Sequence, residues 1–233
     1  MSFRATASAI ALTAAACLLL APAAMASSRG PVQVTGKQLR AALLPASDFV
    51  SGYRVLTGND SGRKLEHVSL FNLSSMKCED FWTFIGTGYG FGDTAFATEL
   101  VADKTGALNP AEIFNQSVYQ FASTKAAASF YARVNAKYRS CHSLTGSDGS
   151  GGTLRRTVHS QSATHVGGHQ ATQTIEYVVD SKVPGPPLPV YLLWTIDGAD
   201  VYFISTTPLS PGPPQPTQSS LTLELIARVT ALR

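Results

Sequence analysis

The stretch VYLLWTIDGADVYFIS, Val190 to Ser205, constrains this chain more than any other. Two runs rich in aromatic and β-branched residues flank Asp197-Gly198. An Asp-Gly pair between such runs specifies a tight β-hairpin, because glycine accepts the backbone twist that the turn demands. Upstream, strand-like stretches fall at Gly52–Val55, Ala95–Ala102, Ser117–Ala122, 153–162 and 170–180. Strands are followed by turns more often than by helices, which favours an α+β fold with a mainly antiparallel sheet in a single domain.

Helices are expected in four places. Thr35-Gly36-Lys37-Gln38-Leu39-Arg40 opens an amphipathic helix that Pro45 ends. A second starts near Ser75 and carries Cys78, Phe81, Trp82 and Ile85, with glycines 86, 88, 90 and 92 behind it. Thr124 to Cys141 is the strongest, with Ala127, Phe130, Tyr131, Val134 and Tyr138 on one face and Ser123 or Thr124 as its cap. The last carries Leu221, Leu225, Ile226 and Val229. Residues 57–64 and 145–152 read as exposed turns and a Gly/Ser loop, and 183–189 and 208–216 as Pro-rich connections.

The first 26 residues have another purpose. Arg4 precedes an apolar run from Ala9 to Ala21, and Ala24-Met25-Ala26 makes a small-x-small site before Ser27. That pattern is a secretory signal peptide. Residues 27–36 then form a flexible mature N-terminus, and 37–233 the domain. Cys17 raises the rival of a lipid anchor, but it sits inside the apolar run and not at its end. No later stretch approaches about 20 apolar residues, so no membrane span follows signal cleavage. Removing the leader takes only Arg4 from 18 basic residues, leaving 17 against 15 acidic. That balance is too weak for a nucleic-acid footprint.

Cys78 and Cys141 are the two cysteines left. An even count in an exported chain suggests one disulfide. Closing a loop of about 60 residues contributes roughly 4 kcal/mol on the chain-entropy model. The alternative is two buried thiols. Without a CxxC, the pair has no redox signature.

Candidate chemistry centres on THVGGHQ, Thr164 to Gln170, with His159 just upstream. On a helix, His165 and His169 would share a face, as in HExxH zinc enzymes. Gly167-Gly168 between them costs a helix about 2 kcal/mol relative to alanine, and no glutamate takes the base position. On a Gly-Gly hairpin the two could face each other across strands, with His159 as a third ligand. The competing view is a hairpin tip without chemistry. DGSGG, Asp148 to Gly152, has Asp and Gly exchanged relative to a chymotrypsin-type serine loop, and reads as a flexible loop. Asp60-Ser61-Gly62 reads as a turn. GTGYGFG, residues 86–92, lacks the spacing of a phosphate cradle, although Tyr89 and Phe91 could line a cleft. Nothing implies a cofactor.

Aromatic residues are dense on the expected strands. If a cleft exists, Tyr177, Tyr191, Trp194 and Tyr202 are its candidate lining, since a Tyr- and Trp-rich sheet face can hold a ligand. Ordinary sheet packing is the alternative.

The order of elements also resembles a family. LLPASDFVSGY near the start, a Cys-bearing helix, VYQFASTKAAASFYARVNAKYRSC (Val118 to Cys141), the late hairpin and the closing LIARVTAL resemble the extracellular sensor domain of PknH-type actinobacterial receptor kinases and its secreted or lipoprotein relatives. The resemblance spans most of residues 37–232. It implies a twisted antiparallel sheet with flanking helices and a cleft for an extracellular ligand. The chain departs from it in having no kinase, no membrane helix, and one possible disulfide where the kinase sensor is expected to have two. The leading expectation is therefore a secreted, non-enzymatic ligand-binding or sensor-like domain, whose partner is a small molecule, a cell-envelope component or a protein. A secreted hydrolase using His159, His165 or Asp148, and a protein-interaction module, are the alternatives.

Overall fold

The computed structural model describes residues 34–49, 52–61, 73, 76–85, 92–103, 112–147, 151–182, 185–208 and 217–233. The leader, Cys17, Asp148 and the Tyr89/Phe91 loop lie outside these residues. Helices α1 (Gly36–Ala42) and α2 (Ala46–Phe49) precede strand β1 (Tyr53–Asp60) and helix α3 (Cys78–Ile85). Strands β2 (Ala95–Asp103) and β3 (Glu112–Gln120) lead into the long helix α4 (Thr124–Ser140). Strands β4 (Ser143–Ser147), β5 (Thr153–Val166), β6 (His169–Asp180), β7 (Leu188–Asp197) and β8 (Asp200–Pro208) follow, and α5 (Gln218–Thr230) comes last.

All eight strands form one sheet in the order β1-β2-β3-β8-β7-β6-β5-β4. Every neighbouring pair is antiparallel. Two meanders, β1–β3 and β4–β8, are joined through α4, which carries the chain to the far edge and lets β8 close against β3. Helices α3 and α4 cover one face; α1, α2 and α5 cover the other. Strands β3, β7 and β8 are therefore buried on both sides. On the α4 face the core is aromatic, with Tyr119, Phe121, Phe130, Trp194 and Phe203; on the α5 face Phe114, Val118, Tyr202 and Ile204 meet Leu39, Leu221 and Leu225.

Local chemistry explains the helix ends. Thr35 Oγ1 accepts from the Gln38 amide at 3.2 Å while Gln38 Oε1 accepts from the Thr35 amide at 2.8 Å, a reciprocal capping box. Ser123 caps α4 and Thr217 caps α5 in the same acceptor role. The face of α4 read from the sequence is buried at Ala127, Phe130, Tyr131, Val134 and Tyr138.

Three expectations are corrected. Thr57, Gly58, Asn59 and Asp60 are not turn but the end of β1, paired with Leu100, Glu99, Thr98 and Ala97. As an edge strand, β1 needs only one partner, and Arg40 of α1 lies across it. Its guanidinium reaches Asp60 Oδ2 and Glu99 Oε1, both at 3.4 Å. A Cβ at Gly58 would come within 2.8 Å of Arg40 Nη2, so this turn-like glycine makes room for the clamp. Likewise Thr145, Gly146 and Ser147 are not loop but the end of β4, paired with Arg155, Leu154 and Thr153. The helix expected from Ser75 is formed from Cys78.

The two ends of the described chain meet on the sheet. The Val34 amide donates to Gln120 Oε1 at 2.9 Å, Gln120 Nε2 donates to Asp200 Oδ1 at 3.4 Å, and Arg233 forms an ion pair with the fully buried Asp200. Burial raises the Asp200 carboxyl above its ordinary value, with Arg233 and Gln120 opposing the rise.

Candidate functional site

Helix α4 meets the sheet through two unlike surfaces. Its N-terminal half packs on rings: the Phe130 centroid lies 5.0 Å from Phe121, 5.5 Å from Tyr119 and 6.0 Å from Trp194. Its C-terminal half stays in the same apolar core through Tyr131, Val134 and Tyr138 and also meets polar groups. Tyr131, Asn135 and Tyr138 recur at i, i+4 and i+7, on one helical face. Below them Thr172, Thr174 and Glu176 occupy alternate positions of β6, and therefore one face of the strand. The Tyr131 hydroxyl and Thr172 Oγ1 are 2.6 Å apart. Gln161 of β5 donates to the carbonyl and to Oδ1 of Asn135, both at 3.3 Å.

Glu176 is the focus of this interface. It is fully buried, and neither carboxyl oxygen has a hydrogen-bond partner. Thr174 Oγ1, on the same sheet face, is also buried without a hydrogen-bond partner, and the Trp194 indole lies beside the Tyr138 hydroxyl. Burial pushes the Glu176 carboxyl from 4.5 up to about 8, although the Arg156 charge on neighbouring β5 works against the rise. The rise favours the protonated carboxyl, which can donate a hydrogen bond. Burial raises the Tyr138 hydroxyl well above 10, and the adjacent Glu176 adds to that. Along the register Gln161 pairs with Thr174, Thr174 with the apolar Leu192, Leu192 with Ser205, and Ser205 with Asn115, so Leu192 separates two polar stretches of one sheet face. Thr98, Asn115 and Ser117 form a buried network beside it, with Ser117 Oγ 2.8 Å from Thr98 Oγ1. Chemically, the interface offers a buried acid, an indole N–H, hydroxyls and a nearby guanidinium.

The four aromatic residues expected to line a cleft do not share a surface. Trp194 lies on the α4 face, wholly buried, with its ring 4.4 Å from Phe203. Tyr202 lies on the opposite face within the α1/α5 core, and its hydroxyl donates to Asp200 Oδ2 at 3.5 Å. Burial raises that hydroxyl far above its ordinary value. Tyr191 and Tyr177 share the Tyr202 face but sit toward the other end of the strands: Tyr191 is half-buried and Tyr177 is 36% exposed. Trp194 alone of the four borders the Glu176 interface.

The histidines are separated too. Gly167-Gly168 does form the β5–β6 hairpin turn, but Val166 pairs with His169 and His165 with Gln170. His165 and His169 therefore point to opposite faces, and the facing arrangement is corrected by the register. His169 Nδ1 lies 3.4 Å from Asp197 Oδ1. His159 is the extra residue of a β-bulge between Val158 and Ser160, with its ring 5.0 Å from Tyr177. Among the described residues, no three His, Cys, Asp or Glu side chains gather as a metal site. Cys78 and Cys141 are bonded, joining the first residue of α3 to the C-cap of α4.

Sequence reasoning did not single out Glu176, Thr174, Tyr138, Arg156 or Gln161 as a site. One signal was available: Thr172-x-Thr174-x-Glu176 puts three polar residues on one face of the strand that precedes the apolar hairpin.

Comparison with known proteins places this architecture. The family model described as PknH-like extracellular domain matches residues 34–191. The crystal structure of the extracellular domain of PknH from Mycobacterium tuberculosis is similar at a TM-score of 0.58 and 13% identity, over 85% of this chain and 97% of that one. An uncharacterized protein from Mycobacterium smegmatis aligns at a TM-score of 0.36 and 13% identity, over 83% and 94% of the two chains. No curated protein matches. Among the described residues, no helix is long and apolar enough to cross a membrane. With most of its sheet inside the matched span, the chain belongs to the family of PknH-like extracellular domains.

Proposed function

We propose that this domain is an exported, non-enzymatic ligand-binding or sensor-like module, acting outside the cell on a small molecule or cell-envelope component. The observation that carries the reading is the α4–β6 interface, where Glu176 and Thr174 hold buried side-chain oxygens without hydrogen-bond partners beside Trp194. Buried polar groups are ordinarily satisfied, and exceptions call for a functional reason. Membership in an extracellular domain family supports the place of action. Trp194 is the proposed ligand-facing aromatic residue; Tyr177 and Tyr191, on the other sheet face, are proposed as a separate outer contact surface. Residues 1–26 are proposed to direct export and to be removed.

Native mass spectrometry of the protein purified from its own culture medium tests this. The expected result is a non-covalent adduct of small mass that is lost in Trp194→Phe. Turnover of a substrate, abolished by alanine at one polar residue of the interface, would overturn the non-enzymatic reading. A stable protein complex without an adduct would replace the ligand by a protein partner.

A further inference from the structure

The two edges of the sheet are protected unequally. At one edge, β1 carries Arg54 and Asp60 and a bulge at Leu56, and Arg40 of α1 lies across it. Charges and bulges of this kind keep an edge strand from pairing with another chain. At the other edge, β4 is too short to cover its neighbour. It pairs with Thr153–Thr157, and the His142 carbonyl accepts from the Val158 amide just before β4 begins. Strand β5 runs on to Val166. Among the described residues, no segment other than β6 makes backbone hydrogen bonds to β5 beyond Val158. The bare stretch is Ser160-Gln161-Ser162-Ala163-Thr164-His165, with no lysine, arginine, acid or proline. Ser160, Ser162, Ala163 and His165 are exposed. In an antiparallel ladder, alternate residues direct both N–H and C=O away from the neighbouring strand, so this edge presents donors and acceptors in turn.

We propose that this edge pairs antiparallel with the same edge of a second copy, joining two sheets into one. Symmetry favours that occupant. A two-fold axis normal to the sheet pairs residues that point to the same face, so near the middle of the stretch it passes through Ser162 or Ala163. With Ser162 on the axis, Ser160 faces the partner's Thr164 and Gln161 faces the partner's Ala163. With Ala163 on the axis, Ser162 faces the partner's Thr164 and Gln161 the partner's His165. Neither register opposes like charges, which would disfavour the pairing. The lengths also match. With Ser162 on the axis, Val166 reaches the partner's Val158, so the Gly167-Gly168 turn ends one strand where β4 takes over on the other. A second copy is already extended and held by its own β6, whereas a free peptide would lose conformational entropy on pairing. Helix α4 leaves room above the edge. Asn135 accepts from Gln161, and Ala128 and Ala132, seven and three residues earlier, are short and exposed on the same flank. Arg139, one turn later, lies toward β4. The pairing is independent of the ligand reading, because it uses the sheet edge and not the α4–β6 interface.

Sedimentation equilibrium and concentration-dependent hydrogen exchange of the whole exported chain test it. The expected result is a monomer–dimer equilibrium in the micromolar range. Amides of 160–165 should gain protection as the dimer forms, while those of Tyr53–Asp60 do not change. Ser162→Lys sets like charges together at the centre and should weaken association by about tenfold or more, with the urea midpoint of the monomer kept. Ser162→Cys or Ala163→Cys, whichever puts its thiol on the axis, should oxidise to a covalent dimer, since Cβ atoms directly across an antiparallel pair lie close to disulfide range. Should Ser162→Lys not fold, the two cysteine variants decide. A monomer at every concentration, a dimer that Ser162→Lys leaves intact, protection gained elsewhere and not at 160–165, no covalent dimer from either cysteine variant, or a different exported chain paired at this edge would each overturn the proposal.

Discussion

At the scale of single residues, Glu176 dominates. Its carboxyl titrates at 4.5 in a free chain and near 8 when folded. Below 4.5 both states are protonated, and the group adds no pH dependence. Between 4.5 and about 8 the folded state keeps a proton that the unfolded state has lost, so stability falls as pH rises through that window. The slope is about 1.4 kcal/mol per pH unit at most. Glu176→Gln is expected to flatten this fall and to raise stability at pH 7 by roughly 3 kcal/mol, read from urea unfolding at pH 5, 6, 7 and 8. An unchanged slope in the variant would assign the pH dependence to another group. Glu176 is the kind of residue a sequence hides. On β6 the polar positions Thr172, Thr174 and Glu176 alternate with Ala171, Gln173, Ile175 and Tyr177. Strand periodicity alone sends the polar set to solvent; α4 buries it, and Tyr177 is left exposed.

At the scale of elements, the Gly-Gly hairpin shows how a motif suggesting chemistry can be structural. Gly167 has φ of 57°, and a Cβ there would collide with the Leu223 side chain of α5. The turn thus docks the β5–β6 hairpin against the Leu223 methyl end of the last helix, and its left-handed backbone favours glycine. Gly167→Ala is expected to lower stability by about 1–2 kcal/mol, visible as a lower urea midpoint. In Gly167→Ala/Leu223→Ala the steric part should be relieved and the backbone part should remain. The α3–α4 pair depends on its covalent link in a different way. Cys78→Ser/Cys141→Ser reopens a loop of 63 residues, and denaturant unfolding should show a loss of about 2–4 kcal/mol. No loss would mean that Phe81–Tyr138 packing already holds the two helices together.

At the scale of the whole molecule, the proposed export and the Cys78–Cys141 bond can be read from one intact mass. The intact mass of the protein from culture medium, taken without reductant, is expected to correspond to a chain beginning at Ser27 and lacking two hydrogens. A mass that includes a lipid would reinstate the Cys17 anchor, and two additional hydrogens would deny the Cys78–Cys141 bond in the exported form. The sequence by itself determined the late hairpin, the amphipathic face and capped start of α4, and the family. Each is written in neighbouring residues: a turn pair, a 3.6-residue period, a cap, or an ordered run of such signals. Only the tertiary structure decided which sheet face each aromatic residue occupies. That parity is set by strand register, and the β-bulge at His159 shifts it by one residue. The structure also decided that turn-like residues complete β1, because Arg40 of a distant helix clamps that edge. Finally, it decided that a polar strand face lies buried beneath α4, since burial depends on which helix crosses a strand and not on the strand's own pattern.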